Sequence, residues 1–217
     1  MFVIPGWRQC SAGRIRPGGE GYMPRPREFD EPTVLEAAMR CFWHRGYEQT
    51  SMRDLADEMG ITSASVYNAF GDKRSLYRRA LDHYLEHSVR DRVARLTPLP
   101  PFSAIRAFFD EIVERSVTDK QRRGCMLVNS ALEVAPYDPE FQKLVANEMI
   151  FIEGFFCRCI SEGQRDGTIT SKRPADEVAK VLLSVLLGIR VLARTRPQSS
   201  VLECAASGVL SLLKSEA

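Results

Sequence analysis

From Asp30 onward, the apolar residues of this chain recur every three or four positions, with no stretch of strand-like alternation. That period belongs to the amphipathic α-helix, so the expected fold is all-α. Capping residues and glycines divide the pattern into units. Asp30 can cap a first helix, with Pro32 in its opening turn and Val34, Leu35, Ala38, Met39, Phe42 and Trp43 on one face; Gly46 ends it. Ser51 and Asp54 form the frame of a capping box for a short second helix through Leu55, Ala56 and Met59, closed by Gly60. Thr62 or Ser63 opens a short third helix that runs to Phe70. After Gly71, Asp72 caps a long fourth helix carrying Leu76, Ala80, Tyr84 and Val89.

Further helices are predicted over Phe102–Val117 and, briefly, Gly124–Ala135. Asp138-Pro139-Glu140 combines a cap, a first-turn proline and a first-turn acid, and starts a helix running to about Arg165 and stopping at Gly167. Pro174 opens another that ends before Pro197, and a last helix spans about Ser199 to Ser215.

Composition narrows the class. The chain has 217 residues, 44% apolar and 27% charged, with a net charge of +2. It can bury a sizeable core, and its overall charge names no partner. The longest near-continuous apolar run, Val181 to Ile189, is about half of the ~20 residues a membrane span needs. Six scattered cysteines (Cys10, Cys41, Cys125, Cys157, Cys159, Cys204) show no CxxC pair, and the N-terminus has no signal-like apolar run. These features read as a reducing, cytoplasmic setting. Residues 1–29 are rich in glycine and proline without helical period and read as a flexible arm. Five arginines against Glu20 make its first 27 residues basic. The arm either touches nucleic-acid phosphates or is an extension ahead of a start at Met23.

A helix, a short helix, a glycine turn and a second short helix make a helix-turn-helix, expected over 30–75, followed by a further helical unit over 76–217. In such a unit the third helix enters the major groove of double-stranded DNA. Thr62, Ser63, Ala64 and Ser65 are small enough for close approach, Tyr67 and Asn68 carry hydrogen-bonding tips, and Lys73 opens the fourth helix where a phosphate is favoured. Only residues 61–79 are positive, at net +3; residues 23–90 together carry net −1, so plain helical connectors remain an alternative.

The run Pro26–Leu85 resembles the N-terminal domain of the TetR family of bacterial transcriptional regulators. The resemblance is carried by Val34-Leu35-Glu36-Ala37-Ala38-Met39 with Gly46-Tyr47, by Thr50-Ser51-Met52-Arg53-Asp54-Leu55-Ala56, by Gly60-Ile61, and by Ser65-Val66-Tyr67-Asn68-Ala69-Phe70-Gly71-Asp72-Lys73. It covers about a quarter of the chain. Asn68 stands where the family usually has His. The resemblance implies a non-enzymatic homodimer on a palindromic operator, with no cofactor, released by an effector bound in the larger domain. It implies that Thr50 and Ser51 hold phosphate, that Ser63, Ala64 and Ser65 face bases, and that Tyr67, Asn68 and Lys73 grip the backbone.

The helix from Pro174 is apolar nearly all round between Val181 and Leu192, and the last helix adds Val201, Leu202, Ala205, Val209, Leu212 and Leu213. They either complete a monomer core or form, with their symmetry copies, the four-helix dimer interface that the resemblance implies. Met149, Phe151, Phe155 and Phe156 are core or the lining of an adaptable pocket for a small-molecule effector. Cys125 follows Arg122-Arg123-Gly124 at a helix start, a setting that favours thiolate, and shares a helix face with Asn129 and Glu133. The segment Gly124–Glu133 resembles the electrophile- and oxidant-sensing branch of the family, which implies a sensing cysteine; a buried small hydrophobe is the plainer reading. His83, His87 and Asp91 have metal-compatible spacing but lack a third dependable ligand, and no nucleophile–base motif or phosphate loop supports an enzyme.

Overall fold

The computed structural model describes residues 29–214, all helical apart from short connections. The arm expected over 1–29 lies outside the described residues except for Phe29. The elements are α1 (Glu31–Arg45), α2 (Met52–Met59), α3 (Ser63–Phe70), α4 (Lys73–Leu85), α5 (Asp91–Leu96), α6 (Pro101–Thr118), α7 (Met126–Glu133), α8 (Pro139–Asp166), α9 (Ala175–Thr195) and α10 (Ser199–Ser211). A single π-helical turn, Glu86–Arg90, joins α4 to α5 without a break.

Local chemistry sets most boundaries. Asp30, Thr62 and Asp72 each accept the backbone N–H three residues on. Ser51 and Asp54 form the reciprocal box despite the shorter acid, with the Ser51 amide 2.9 Å from the Asp54 carboxylate. The Ser51 hydroxyl and amide, then Arg45, hold Asp54 down to about 2. Asp138 receives the amides of Glu140 and Phe141, and Gly167 closes α8 at φ +81°.

α1 packs on α2 and along α4, and α3 packs on α2, making a small head. The second half of α4 passes into the body, where α8 lies against α9 and α6, and α10 closes over α9 and α6. Phe108, Phe109, Phe155 and Phe156, all fully buried, form the centre of the body, with ring centroids 5.1–6.5 Å apart. No helix among the described residues is long and apolar enough to cross a membrane.

The π turn has a visible cause. Buried residues on the α4–α5 rod fall in two rows at multiples of four: Leu76, Ala80, Tyr84, Arg92, Leu96 (with half-buried Ser88 in the gap) and Tyr77, Leu81, Leu85, Val89, Val93. A row spaced by four drifts ~40° per step around a regular helix, or ~200° over five steps. One wider turn removes about half of that drift and keeps both ends of the rod facing the protein.

Candidate DNA-binding surface and effector cavity

On the head, α3 presents Ser63, Ala64, Tyr67 and Asn68 to solvent, with Tyr67 53% exposed. Val66 and Phe70 turn inward and fix the helix. Thr62 is exposed at the cap, and its hydroxyl lies 2.9 Å from that of half-buried Ser65. Lys73 sits beside this surface in the first turn of α4, its ammonium 3.4 Å from the Glu48 carbonyl and 4.3 Å from the Tyr47 ring centre. Ser51 is exposed at the start of α2. Thr50 differs from expectation. It is 1% exposed and its hydroxyl donates to the Gly46 carbonyl at 2.7 Å, so it braces the α1–α2 turn and does not reach the surface. The remaining residues leave a small, nearly uncharged reading edge with one flanking ammonium, suited to close approach to a polyanion.

In the body, a cavity of about 530 Å³ opens between α4, α6, α7, α8 and α9. Its apolar wall includes Phe108, Ile112, Ile152 and Leu186. Its polar wall includes Cys125, Tyr84, Arg92, Arg115 and Arg190, and the connection from Asp119 to Gly124 forms part of its rim. Cys125 is the N-cap of α7 and is buried against protein on its other sides. The Tyr84 hydroxyl donates to its Sγ at 3.4 Å. Burial pushes this thiol up, but the Arg190 guanidinium, the Tyr84 hydroxyl and the amides of Val128 and Leu127 outweigh it, and the Cys125 pKa is lowered. The other buried thiols go the opposite way. Burial raises Cys41, and it carries Cys159 up to about 11.

Gly124 is necessary here. Its φ is +70°, and a Cβ would lie 2.7 Å from Arg194 Cγ and 3.2 Å from the Arg190 carbonyl. Arg190 donates to Ser116 Oγ at 3.0 Å and to the Gly124 carbonyl, so α9 grips the approach to Cys125.

The other expected effector residues divide. Asn129 and Glu133 follow Cys125 along α7 but do not line the cavity. Asn129 donates to the Arg123 carbonyl at 3.2 Å and accepts from Arg194 at 3.0 Å, tying the rim to α9. The Glu133 carboxylate reaches the head, accepting the Tyr47 amide at 2.9 Å. A Cβ on Gly46 would come within 2.8 Å of that carboxylate, so the glycine permits the approach. Phe155 is spent on the aromatic centre against Phe108, and Met149 is half-buried on a different part of α8; Ile152 takes the place expected of them. Sequence reasoning missed Arg190. Its one signal was a lone cation in the otherwise apolar stretch of α9, which a packed helix keeps only for a partner. The histidines also find ordinary partners: His83 meets Glu36 at 2.9 Å, and His87 turns to the His83 carbonyl at 2.8 Å.

Comparison with known proteins places this architecture. Residues 34–80 match the tetR family of bacterial regulatory proteins, and residues 101–209 match the tetracyclin repressor-like C-terminal domain. The uncharacterized HTH-type transcriptional regulator YezE of Bacillus subtilis is 32% identical over 69% of this chain and 78% of its own length. The transcriptional repressor ComR of Escherichia coli is 26% identical over 78% of this chain and 82% of its own. Among solved structures, a cysteine mutant of the regulator CifR, complexed with 26-bp double-strand operator DNA, is 33% identical, with a TM-score of 0.76 over 86% of this chain and 97% of that one. Reduced NemR of Escherichia coli, at 18% identity, shares the fold with a TM-score of 0.73. The chain belongs to the TetR family and is a DNA-binding transcriptional regulator, not an enzyme.

Proposed function

We propose that the protein is a cytoplasmic, homodimeric repressor whose grip on a palindromic operator is broken by modification of Cys125. One observation carries the switch: α7 starts at the cavity thiol and ends at the Glu133 carboxylate that holds the α1–α2 turn. The domain division follows, with 30–75 as the reading head and 76–217 as the effector and dimerisation body. Ser63, Ala64 and Ser65 face bases; Ser51, Thr62, Tyr67, Asn68 and Lys73 contact the phosphodiester backbone. The dimer forms through α9 and α10. Val181, Ser184, Gly188 and Val191 make an exposed stripe of small and apolar residues along α9, and Cys204 and Gly208 are exposed on α10. The solved complex of CifR with operator DNA supports DNA as the partner.

Modification works by population shift. Half-sites one helical turn apart hold two reading helices about 34–36 Å apart. An adduct in the cavity favours a different placement of α7 and therefore of the heads, and it releases DNA by at most its differential fit to the two states.

The test is fluorescence anisotropy of reduced protein on the DNA upstream of its own gene and on an operator selected from random DNA. It is repeated after N-ethylmaleimide. The thiolate adds across the activated alkene, an S–C bond forms as the C=C π bond breaks, and the resulting carbanion takes a proton from water. At least a tenfold loss of affinity is expected. Other cysteines are present, so the assignment rests on Cys125→Ser, which should bind the operator normally and ignore the reagent. Release that persists in Cys125→Ser would overturn the switch.

Lys73→Ala is expected to weaken operator binding three- to tenfold and lower the slope of log affinity against log salt by about 0.9, one phosphate contact. Tyr67→Phe should weaken binding without lowering the melting temperature. Wild-type affinity in both would remove these contacts.

A further inference from the structure

The cavity beside Cys125 is charged in a way that a reactive thiol alone does not require. Six basic side chains line it, against the single carboxylate of Asp119. Two of the six are neutralised: Arg92 pairs with Glu111 at 3.0 Å and Arg123 with Asp119 at 3.2 Å. Among the described residues no carboxylate pairs with Arg190, Arg115, Lys120 or Arg122. Arg190 is the costly one. It is 7% exposed, it donates to Ser116 and to the Gly124 carbonyl, the only acidic groups beside it are the Cys125 thiol and the Tyr84 hydroxyl, and its Nε has no hydrogen-bond partner. A buried cation with no carboxylate partner is an expensive arrangement for a protein to hold. Trp43, also in the lining, has a buried indole N–H with no acceptor. The rim is strained as well: Arg122 holds φ +53°, a conformation that non-glycine residues pay to adopt and that concentrates at ligand clamps.

We propose that this cavity is a receptor for a small amphipathic carboxylate, its head between Arg190 and Arg115 and its apolar body against Phe108, Ile112, Ile152 and Leu186. The proposal rests on the cavity being the effector site and adds the chemical class of a reversible effector. A guanidinium matches a carboxylate in shape and charge, and Arg115, Lys120 and Arg122 add cations in the lining that no carboxylate among the described residues pairs. The opposite wall is apolar, so an inorganic anion would leave most of the volume unfilled, while an amphiphile covers both walls. The volume lies within the usual range for small-molecule sites. A carboxylate at Arg190 also takes the cation away from Cys125. The bound anion therefore protects the thiol twice, by blocking access and by withdrawing the charge that favours thiolate.

The test uses full-length Cys125→Ser protein, which removes covalent chemistry, and calorimetric titration with octanoate and 4-phenylbutyrate, each against its own amide and against inorganic phosphate. Each acid is expected to bind saturably, at least tenfold tighter than its amide, with no binding of phosphate. In Arg115→Gln, a substitution at an exposed side chain, that preference should fall below threefold, and in Arg190→Gln it should vanish. In wild-type protein the acids should slow N-ethylmaleimide labelling of Cys125, read by mass spectrometry, while their amides leave it unchanged. Equal binding of acid and amide, tighter binding of phosphate, or a preference unchanged in Arg115→Gln overturns the proposal. Maleimide-driven operator release without any acid preference refutes the carboxylate receptor and leaves the thiol switch standing. Acid preference with operator release independent of Cys125 does the reverse.

Discussion

Glu133→Ala protein is expected to alkylate at Cys125 as fast as wild type and yet keep its operator. Glu133 lies two turns from the thiol, outside the cavity, so its loss leaves the reacting groups in place. It removes the carboxylate that holds the Tyr47 amide at 2.9 Å, the contact that ties the end of α7 to the α1–α2 turn. A hydrogen bond to a charged group contributes ~1.5–3 kcal/mol, comparable to the 1–3 kcal/mol of a typical coupling between sites. The tenfold or greater loss of operator affinity on alkylation should therefore shrink below threefold. Glu133→Gln keeps the side chain's length and an acceptor oxygen, and should fall between. Melting temperatures separate lost coupling from lost stability. Full release in Glu133→Ala would show that the signal travels by another route, through Tyr77 and Ser130 (2.7 Å) or Arg74 and Asp138 (2.6 Å).

Arg190→Met should slow maleimide addition at Cys125 by more than tenfold at pH 7 and move the midpoint of the rate–pH profile upward. The sign follows from the opposing effects. Burial raises this thiol, and Arg190 is the strongest of the influences that lower it. Without the guanidinium, desolvation dominates, as it does at Cys41 and Cys159. Each unit of upward movement cuts the thiolate fraction tenfold below the midpoint. An unshifted midpoint in a protein that still folds and binds its operator would show that the Tyr84 hydroxyl and the α7 amides hold the thiolate unaided.

The head was largely legible in the sequence because its determinants are local. Asp30, Ser51, Thr62 and Asp72 each bond within three residues, so a cap reads the same in the chain as in the fold. The all-helical body was legible from period alone, and the start at Asp138 from one tripeptide. What escaped depends on distant partners. The Thr50 side chain carries no sign that it turns inward to Gly46. Phe155 and Ile152 are equally apolar, and only the crossing of α6 and α8 decides which joins the aromatic centre and which faces the cavity. Arg190 and Cys125 are 65 residues apart along the chain, and no local pattern joins them. The π turn was written in the four-residue spacing of the buried rows, a longer signal than a single helical turn shows.

That turn also governs modular exchange among related regulators. The α4–α5 rod has two phases: upstream of Glu86 it packs on α1 of the reading head as well as on α7, and downstream of Arg90 on α6 of the body. A reading head joined to this body before residue 86 inherits the slip and points its recognition helix as the native one does. A head joined after residue 90 brings its own phase, and a donor with a regular helix there would present its reading edge rotated by ~100°, one residue's worth of helix. Loops forgive an added or missing residue; this rod counts them.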